Sequence, residues 1–190
     1  MPPDSFGWIF AAFDTGELFT AFDIETTGLD SRRDSIVEIG AMRFSRDGVI
    51  EHFAQLIDPG IPMPAAAGRV HNITDAMLAG QPPIQEALPA FLQFAAGSIV
   101  LAHNAPFDCG FVNQGLSRLY DDGYARFPSL PNRIADTLSM ARELLPGRSH
   151  YNLQALASAL GLKPQAAHRA LDDARICMEI FLYLSSLKKQ

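Results

Sequence analysis

Two carboxylates stand two residues apart in "FTAFDIETTGLD" (19–30), Asp23 and Glu25, inside a run whose Phe19, Ala21, Phe22 and Ile24 read as a strand entering a core. Side chains two apart on a strand share a face, so both acids point the same way. A carboxylate in such a place neutralises or finds a partner. Candidate partners occur in two other stretches. In "AHNAPFDCGF" (102–111) a buried strand runs into Asp108 at a helix start, and in "AAHRALDDARICMEI" (166–180) Asp173 opens an apolar-striped helix five residues after His168. Taken singly, each has a plain use as a solvated strand end, a favourable first-turn charge or a surface histidine.

Taken together they are a different proposition. Asp23, Glu25, Asp108 and Asp173 in one pocket would repel one another and raise their pKa values unless cations neutralise them. Oxygen-only ligands favour Mg²⁺ or Mn²⁺ over zinc. Two such ions about 3.5–4 Å apart activate a water and steady the leaving oxygen in phosphodiester cleavage. Histidine is the side chain that ordinarily titrates nearest neutrality, so His168 is the candidate general base. Five positions on one continuous helix would put His168 and Asp173 about 140° apart. The pair can serve one site only if His168 lies in the loop after Lys163-Pro164.

The elements that must position these groups follow from periodicity and turn signals. "SIVEIGAMRF" (35–44) and "VIEHFAQLI" (49–57) read as strands joined at Asp47-Gly48 in a hairpin, with a Pro-rich loop after Asp58-Pro59 running to about residue 64. "IQEALPAFLQFAA" (84–96) has helical spacing interrupted by Pro89. "SIVLAHN" (98–104) is a short buried strand, and a helical face of Phe107, Phe111, Val112, Leu116 and Leu119 follows it. "RIADTL" (133–138) is a further strand leading into a helix to about Leu145. Asn152 caps "LQALASAL", Gly161 ends it, and the last helix runs through "LDDARICMEIFLYL". Three strands followed by alternating strands and helices predict one α/β domain with a mixed sheet.

Bulk properties narrow the function. The 190 residues suit one domain, expected over 18–187 behind an N-terminal arm of 1–17 that packs on it. Hydrophobic content of 48% permits a sizeable core. A formal charge of −6 argues against coating duplex DNA through a broad basic face, and leaves room for a small site that grips a few nucleotides through metal ions. Two cysteines, Cys109 and Cys177, make no disulfide framework and no zinc pair, which fits a reducing compartment. The apolar run Trp8–Phe13 is too short for a membrane span and lacks the basic flank of a signal peptide, so the chain is expected in the cytoplasm.

The three motifs "FDIETTG", "AHNAPFDCGF" and "AHRALDDA", with "VEIGA", "VHNIT", "ADTLSMARELLP" and "YNLQALASALGL" between them in order, resemble the DEDDh 3′–5′ exonuclease family over residues 18 to 185. Within it they resemble the DnaQ-like branch, the proofreading epsilon subunits of bacterial DNA polymerase III. The resemblance implies a ribonuclease H-like fold. It places metal ligands for two Mg²⁺ or Mn²⁺ ions on Asp23, Glu25, Asp108 and Asp173 and the base on His168, with family spacing choosing Asp173 over Asp172. It also places Thr26, Thr27 and Gly28, and His71 of "VHNIT", on the substrate side, whereas His103 and Asn104 shape the second motif's turn. The implied activity is hydrolysis from a free 3′ end of DNA, single-stranded by preference, releasing nucleoside 5′-monophosphates in proofreading or repair. The alternatives are an RNA-trimming enzyme of the same family and a non-catalytic nucleic-acid or polymerase-binding module. Only 17 residues follow Asp173 and the last helix uses nearly all of them. No C-terminal polymerase-docking tail is seen, so a DNA polymerase partner stays open beside a stand-alone exonuclease or one relying on its N-terminal arm.

Overall fold

The computed structural model describes residues 5–166 and 168–188. One sheet holds five strands, β1 (Phe19–Thr26), β2 (Ile36–Ser45), β3 (Gly48–Leu56), β4 (Ile99–Ala102) and β5 (Ile134–Asp136). Their order is β3-β2-β1-β4-β5. The pairs β1–β2 and β2–β3 are antiparallel, and β1–β4 and β4–β5 are parallel. This is the mixed sheet expected, and the Asp47-Gly48 turn makes its hairpin. The described helices are α1 (Gly7–Asp14), α2 (Ala65–His71), α3 (Asp75–Leu78), α4 (Ile84–Ala95), α5 (Ala105–Asp121), α6 (Thr137–Leu144), α7 (Leu153–Ala159) and α8 (Ala170–Leu187).

The alternation along β1 assigns the two faces of the sheet. Phe19 and Ala21 enter a core closed by α1, α6, α7 and α8, while Phe22 and Ile24 enter a second core closed by α4 and α5. Asp23 and Glu25 continue the Phe19–Ala21 series, so they face α8. That helix is anchored by aromatic contacts: Phe181 stacks on Phe19 at 5.1 Å between centroids and takes Phe13 edge-on at 5.2 Å. Burying rings of this size in offset and edge-on pairs is a strong local fixing of helix to sheet.

Three local features add detail to the sequence reading. The segment before residue 18 contains a helix whose Ile9, Phe10 and Phe13 are buried in the first core, so it is part of the packed body; residues 1–4 of the expected arm lie outside the described residues. Helix α4 passes unbroken through Pro89. The carbonyl that loses its partner there belongs to Gln85, an exposed residue. Helices α2 and α3 span 7 and 4 residues, too short to show a helical period in the sequence.

Candidate active site

The site forms where β1 and β4, which run parallel, both end at their carboxyl termini, a usual place for ligands in α/β sheets. Asp23 and Glu25 come from β1 and Asp173 from the first turn of α8. Strand and helix start approach closely because residue 40 of β2 is glycine: a Cβ there would sit 2.1 Å from the Ala170 carbonyl carbon. The result is a group of three carboxylates, Asp23, Glu25 and Asp173, with ligand oxygens all within 4.8 Å of one another. Oxygens so arranged are the donor set of a hard divalent cation.

Asp108 approaches from the opposite face, in the first turn of α5. It is buried, and its Oδ1 accepts the Ile24 amide at 3.3 Å. It lies outside the three-carboxylate group, while its charge still acts on Asp23. Of the four acids expected to converge, three meet directly and the fourth flanks them.

Burial is the leading cause of a raised pKa at each of the four. Burial and then the charges of Asp108, Asp173 and Glu25 push Asp23 well above the usual carboxylate range. Glu25 is pushed up to about 8 by burial together with Asp173 and Glu38. Asp108 rises to about 8 through burial, against the pull of the Ile24 amide. Burial raises Asp173 as well, opposed by hydrogen bonds from Gln154 and His168. Four acids held protonated or mutually repelling are a site organised around positive charge it does not itself supply.

Asp173 is aimed by two donors. Gln154 Nε2 donates to Oδ1 at 2.8 Å and the His168 amide to Oδ2 at 3.1 Å. His168 therefore stands in the turn before α8, in left-handed backbone (φ 61°) and exposed, as the loop alternative required. Asp172 is used differently: its Oδ2 accepts the Gln165 and Ala166 amides at 2.7 Å each, and its Oδ1 pairs with Arg175.

The residues expected on the substrate side are mostly committed within the fold. The Thr26 hydroxyl donates to the Gly28 carbonyl at 2.6 Å. The Thr27 hydroxyl accepts the Ser35 amide at 2.9 Å and lies against Asp34. Both threonines are buried, and Gly28 is part-exposed. His71 is 2% exposed. Its Nδ1 accepts the Ile73 amide at 3.1 Å, and burial lowers its pKa. The ring is enclosed, lies next to the Thr26 backbone, and its buried Nε2 has no hydrogen-bond partner among the described residues. His103 bridges the Thr137 hydroxyl at 3.0 Å and the Tyr151 carbonyl at 2.7 Å, and Asp136 accepts the Asn104 amide at 2.9 Å, so this pair does shape the turn before α5.

Three residues were not singled out by the sequence reading: Gln154, Glu38 and Arg169. Glu38 is the single acid in the apolar β2 sequence, the same anomaly that drew attention to Asp23; Gln154 carries no such signal. A separate cleft of about 430 Å³, lined in part by Asp34, Ile57, Gln85, Phe111 and Arg118, holds none of the four carboxylates. Among the described residues no helix is long and apolar enough to cross a membrane.

Comparison with known proteins places this geometry. The RNase_T family profile, described as exonuclease, matches residues 20–181. The DNA polymerase III subunit epsilon of Treponema pallidum (strain Nichols) is 43% identical over 93% of this chain and 80% of its own. That of Aquifex aeolicus (strain VF5) is 36% identical over 86% and 78%. A PolC-type DNA polymerase III of Clostridium perfringens is 38% identical over 90% of this chain, which spans 11% of that longer protein. Among solved structures, exonuclease X in complex with 5′ overhanging duplex DNA superposes with a TM-score of 0.72 at 27% identity, over 90% of this chain and 93% of that one. Escherichia coli exonuclease I in complex with a dT13 oligonucleotide gives 0.77 at 18% identity over 91% and 42%, a likeness of fold. The fold is the ribonuclease H-like exonuclease fold, and the chain belongs to the RNase_T exonuclease family and is a 3′–5′ exonuclease.

Proposed function

We propose that the enzyme hydrolyses the terminal phosphodiester at a 3′ end of DNA, releasing nucleoside 5′-monophosphates, in proofreading or repair. The observation that carries the chemistry is the meeting of Asp23, Glu25 and Asp173 within 4.8 Å, beside the turn that bears His168. The DNA assignment is supported by relatives named as DNA polymerase III subunits and by the solved exonuclease X complex, whose 5′ overhang leaves a recessed 3′ end. Polymerase association is proposed on the same relatives.

The oxygen-only donor set and the raised pKa values fit two Mg²⁺ or Mn²⁺ ions. Asp23 would serve both, Glu25 and Asp173 would complete the set, and Asp108 would hold the second ion directly or through a water. Bound there, the ions would supply positive charge to the scissile phosphate and a lowered pKa to the attacking water. The remaining steps belong to the chain. His168, exposed beside Asp173, takes the proton of the attacking water, and its ring reaches solvent to discharge it. The loop from Thr26 to Gly28 walls the terminal nucleotide through its backbone and Gly28, since both threonine hydroxyls are already engaged. Buried His71 supports that wall from behind.

The raised carboxylates give a pH prediction. An acid whose pKa is raised on folding keeps its proton in the fold while the unfolded chain ionises, so metal-free Tm falls as pH rises from the ordinary carboxylate range to about 8, the value at Glu25 and Asp108, and levels off above it. Cations compete with those protons, so the Mn²⁺-induced rise in Tm grows over the same window and levels off above it. Differential scanning fluorimetry with and without Mn²⁺ checks both trends; a rise in Tm that is the same at pH 6 and pH 9 contradicts them.

The function itself is tested by digesting matched DNA and RNA oligonucleotides, single-stranded and with recessed 3′ ends, labelled at the 5′ end. The reading predicts Mn²⁺- or Mg²⁺-dependent shortening of DNA one nucleotide at a time, abolished by EDTA. Faster shortening of RNA would transfer the assignment to RNA trimming, through contacts to the 2′-hydroxyl. Binding without shortening in any metal would leave a non-catalytic module.

A further inference from the structure

We propose that Glu38 and Arg169 are positioning residues for catalysis: their ion pair, buried at its Glu38 end, clamps the turn that carries His168 onto β2 and thereby holds the base over the carboxylate group. The inference rests on the assignment of His168 as base.

Several independent contacts converge on that turn. The Glu38 carboxylate is 4% exposed and stands on β2 directly opposite Glu25 in the strand pairing. Arg169 grips it with two bonds, Nη2 to Oε1 at 2.7 Å and Nε to Oε2 at 3.1 Å. A paired fork of this kind fixes orientation as well as distance. The same Oε2 accepts the Ala170 amide at 3.1 Å. Arg169 is the residue that precedes the first turn of α8, and its own side chain caps nothing there. The acceptor for the helix's first amide is supplied by a strand more than a hundred residues earlier. Gly40, one step along the same side of β2, is what lets that strand lie against the Ala170 backbone. All three donors to Glu38 thus come from residues 169 and 170, directly after His168.

His168 needs such a hold. It is exposed and in left-handed backbone, a conformation uncommon for any residue but glycine even though Asn, Asp and His adopt it more readily than the rest, and it is held where the surroundings favour it. On its own side the imposed contact is its amide on Asp173 Oδ2 at 3.1 Å. On the following side it is the clamp. The pair also has an electrostatic consequence. Glu38 raises the neighbouring Glu25 while Arg169 opposes it, so the guanidinium keeps a further acid beside the site from adding unbalanced negative charge. With the Arg169 end more than a third exposed, the pair contributes little net stability, and what it supplies is the paired geometry.

The test is a mutant cycle between the clamp and the base. Glu38→Gln combined with Arg169→Gln removes the pair without leaving either charge buried alone, and Arg169→Lys keeps the charge with a single donor group. With a 3′-terminal DNA substrate, the double variant is expected to lose at least about 10-fold in kcat with KM changed less than about 2-fold, and Arg169→Lys to lose less. In a His168→Ala background the clamp change is expected to cost less than about 2-fold, because the group it positions is gone. Hydrogen exchange of the metal-free protein supplies a readout apart from turnover: the Ala170 amide loses protection in the double variant and keeps most of it in Arg169→Lys. Equal losses in both backgrounds would assign the pair to the fold or the carboxylates and overturn the clamp. So would unchanged kcat in the double variant beside an inactive His168→Ala enzyme. A fully active His168→Ala enzyme overturns the base assignment, and the clamp with it.

Discussion

Asp23→Asn is expected to abolish turnover and to make the metal-free protein more stable. The activity loss is about 10³-fold or more, because Asp23 would supply anionic oxygen to the ions and an amide removes that charge, and with it several kcal/mol of the charge stabilisation the ions would give the transition state. The stability gain has the opposite origin. Burial and three neighbouring acids hold Asp23 well above its ordinary pKa, so at pH 8 its ionisation opposes folding. An amide of the same shape removes that cost. Stabilising substitutions commonly give about 0.5–2 kcal/mol, which for a chain of this size corresponds to a Tm rise of about 1–8 °C. The gain should shrink at pH 5, where the carboxyl of the wild-type protein is protonated in the fold. Kinetics with Mn²⁺ and thermal melts without metal measure the two effects. A variant that is inactive and less stable at pH 8 would mean that Asp23 holds the fold together, and the account of a repelling site would be wrong.

His168→Ala is expected to cost about 10²–10⁴-fold in kcat, the usual contribution of a positioned general base, while KM for a DNA end changes little. Two accompanying results separate a base from a ligand. The Mn²⁺-induced Tm shift should be preserved, since the carboxylate oxygens are untouched and the His168 contact to Asp173 is made by the backbone amide, which alanine retains. The deficit should also narrow towards pH 9–10, where hydroxide needs no base to remove its proton. Loss of the metal-induced shift in this variant would instead place the imidazole among the ligands, and a deficit independent of pH would remove it from proton transfer.

These expectations could be framed from the sequence because the site's main elements announce themselves locally. Asp23 and Glu25 break an otherwise apolar strand at period two, and the face they share with Phe19 and Ala21 is the face that packs on α8. Asp173 begins a helix whose apolar stripe requires it to lie on that same face. What could not be read is the relative depth of the groups. Asp108 enters from the other core, spends an oxygen on the Ile24 amide, a contact 84 residues apart in sequence, and lies outside the three-carboxylate group. The same holds for Thr26 and Thr27, whose hydroxyls are committed to the Gly28 carbonyl and the Ser35 amide. His71 sits at the end of a helix too short to show a period, so its burial had no local signal. Long-range hydrogen bonds decide these details, and spacing along the chain does not encode them.

The central claim is that acids from β1, α5 and α8 gather to hold divalent cations at the hydrolytic centre. Calorimetric titration of Mn²⁺ into the wild-type protein at pH 8, beside the Asp23→Asn/Asp173→Asn variant, tests it most directly. Saturable binding of two ions by the wild type, lost in the variant while its fold persists by circular dichroism, is the predicted result. Equal binding by both proteins, or none by the wild type, would contradict it.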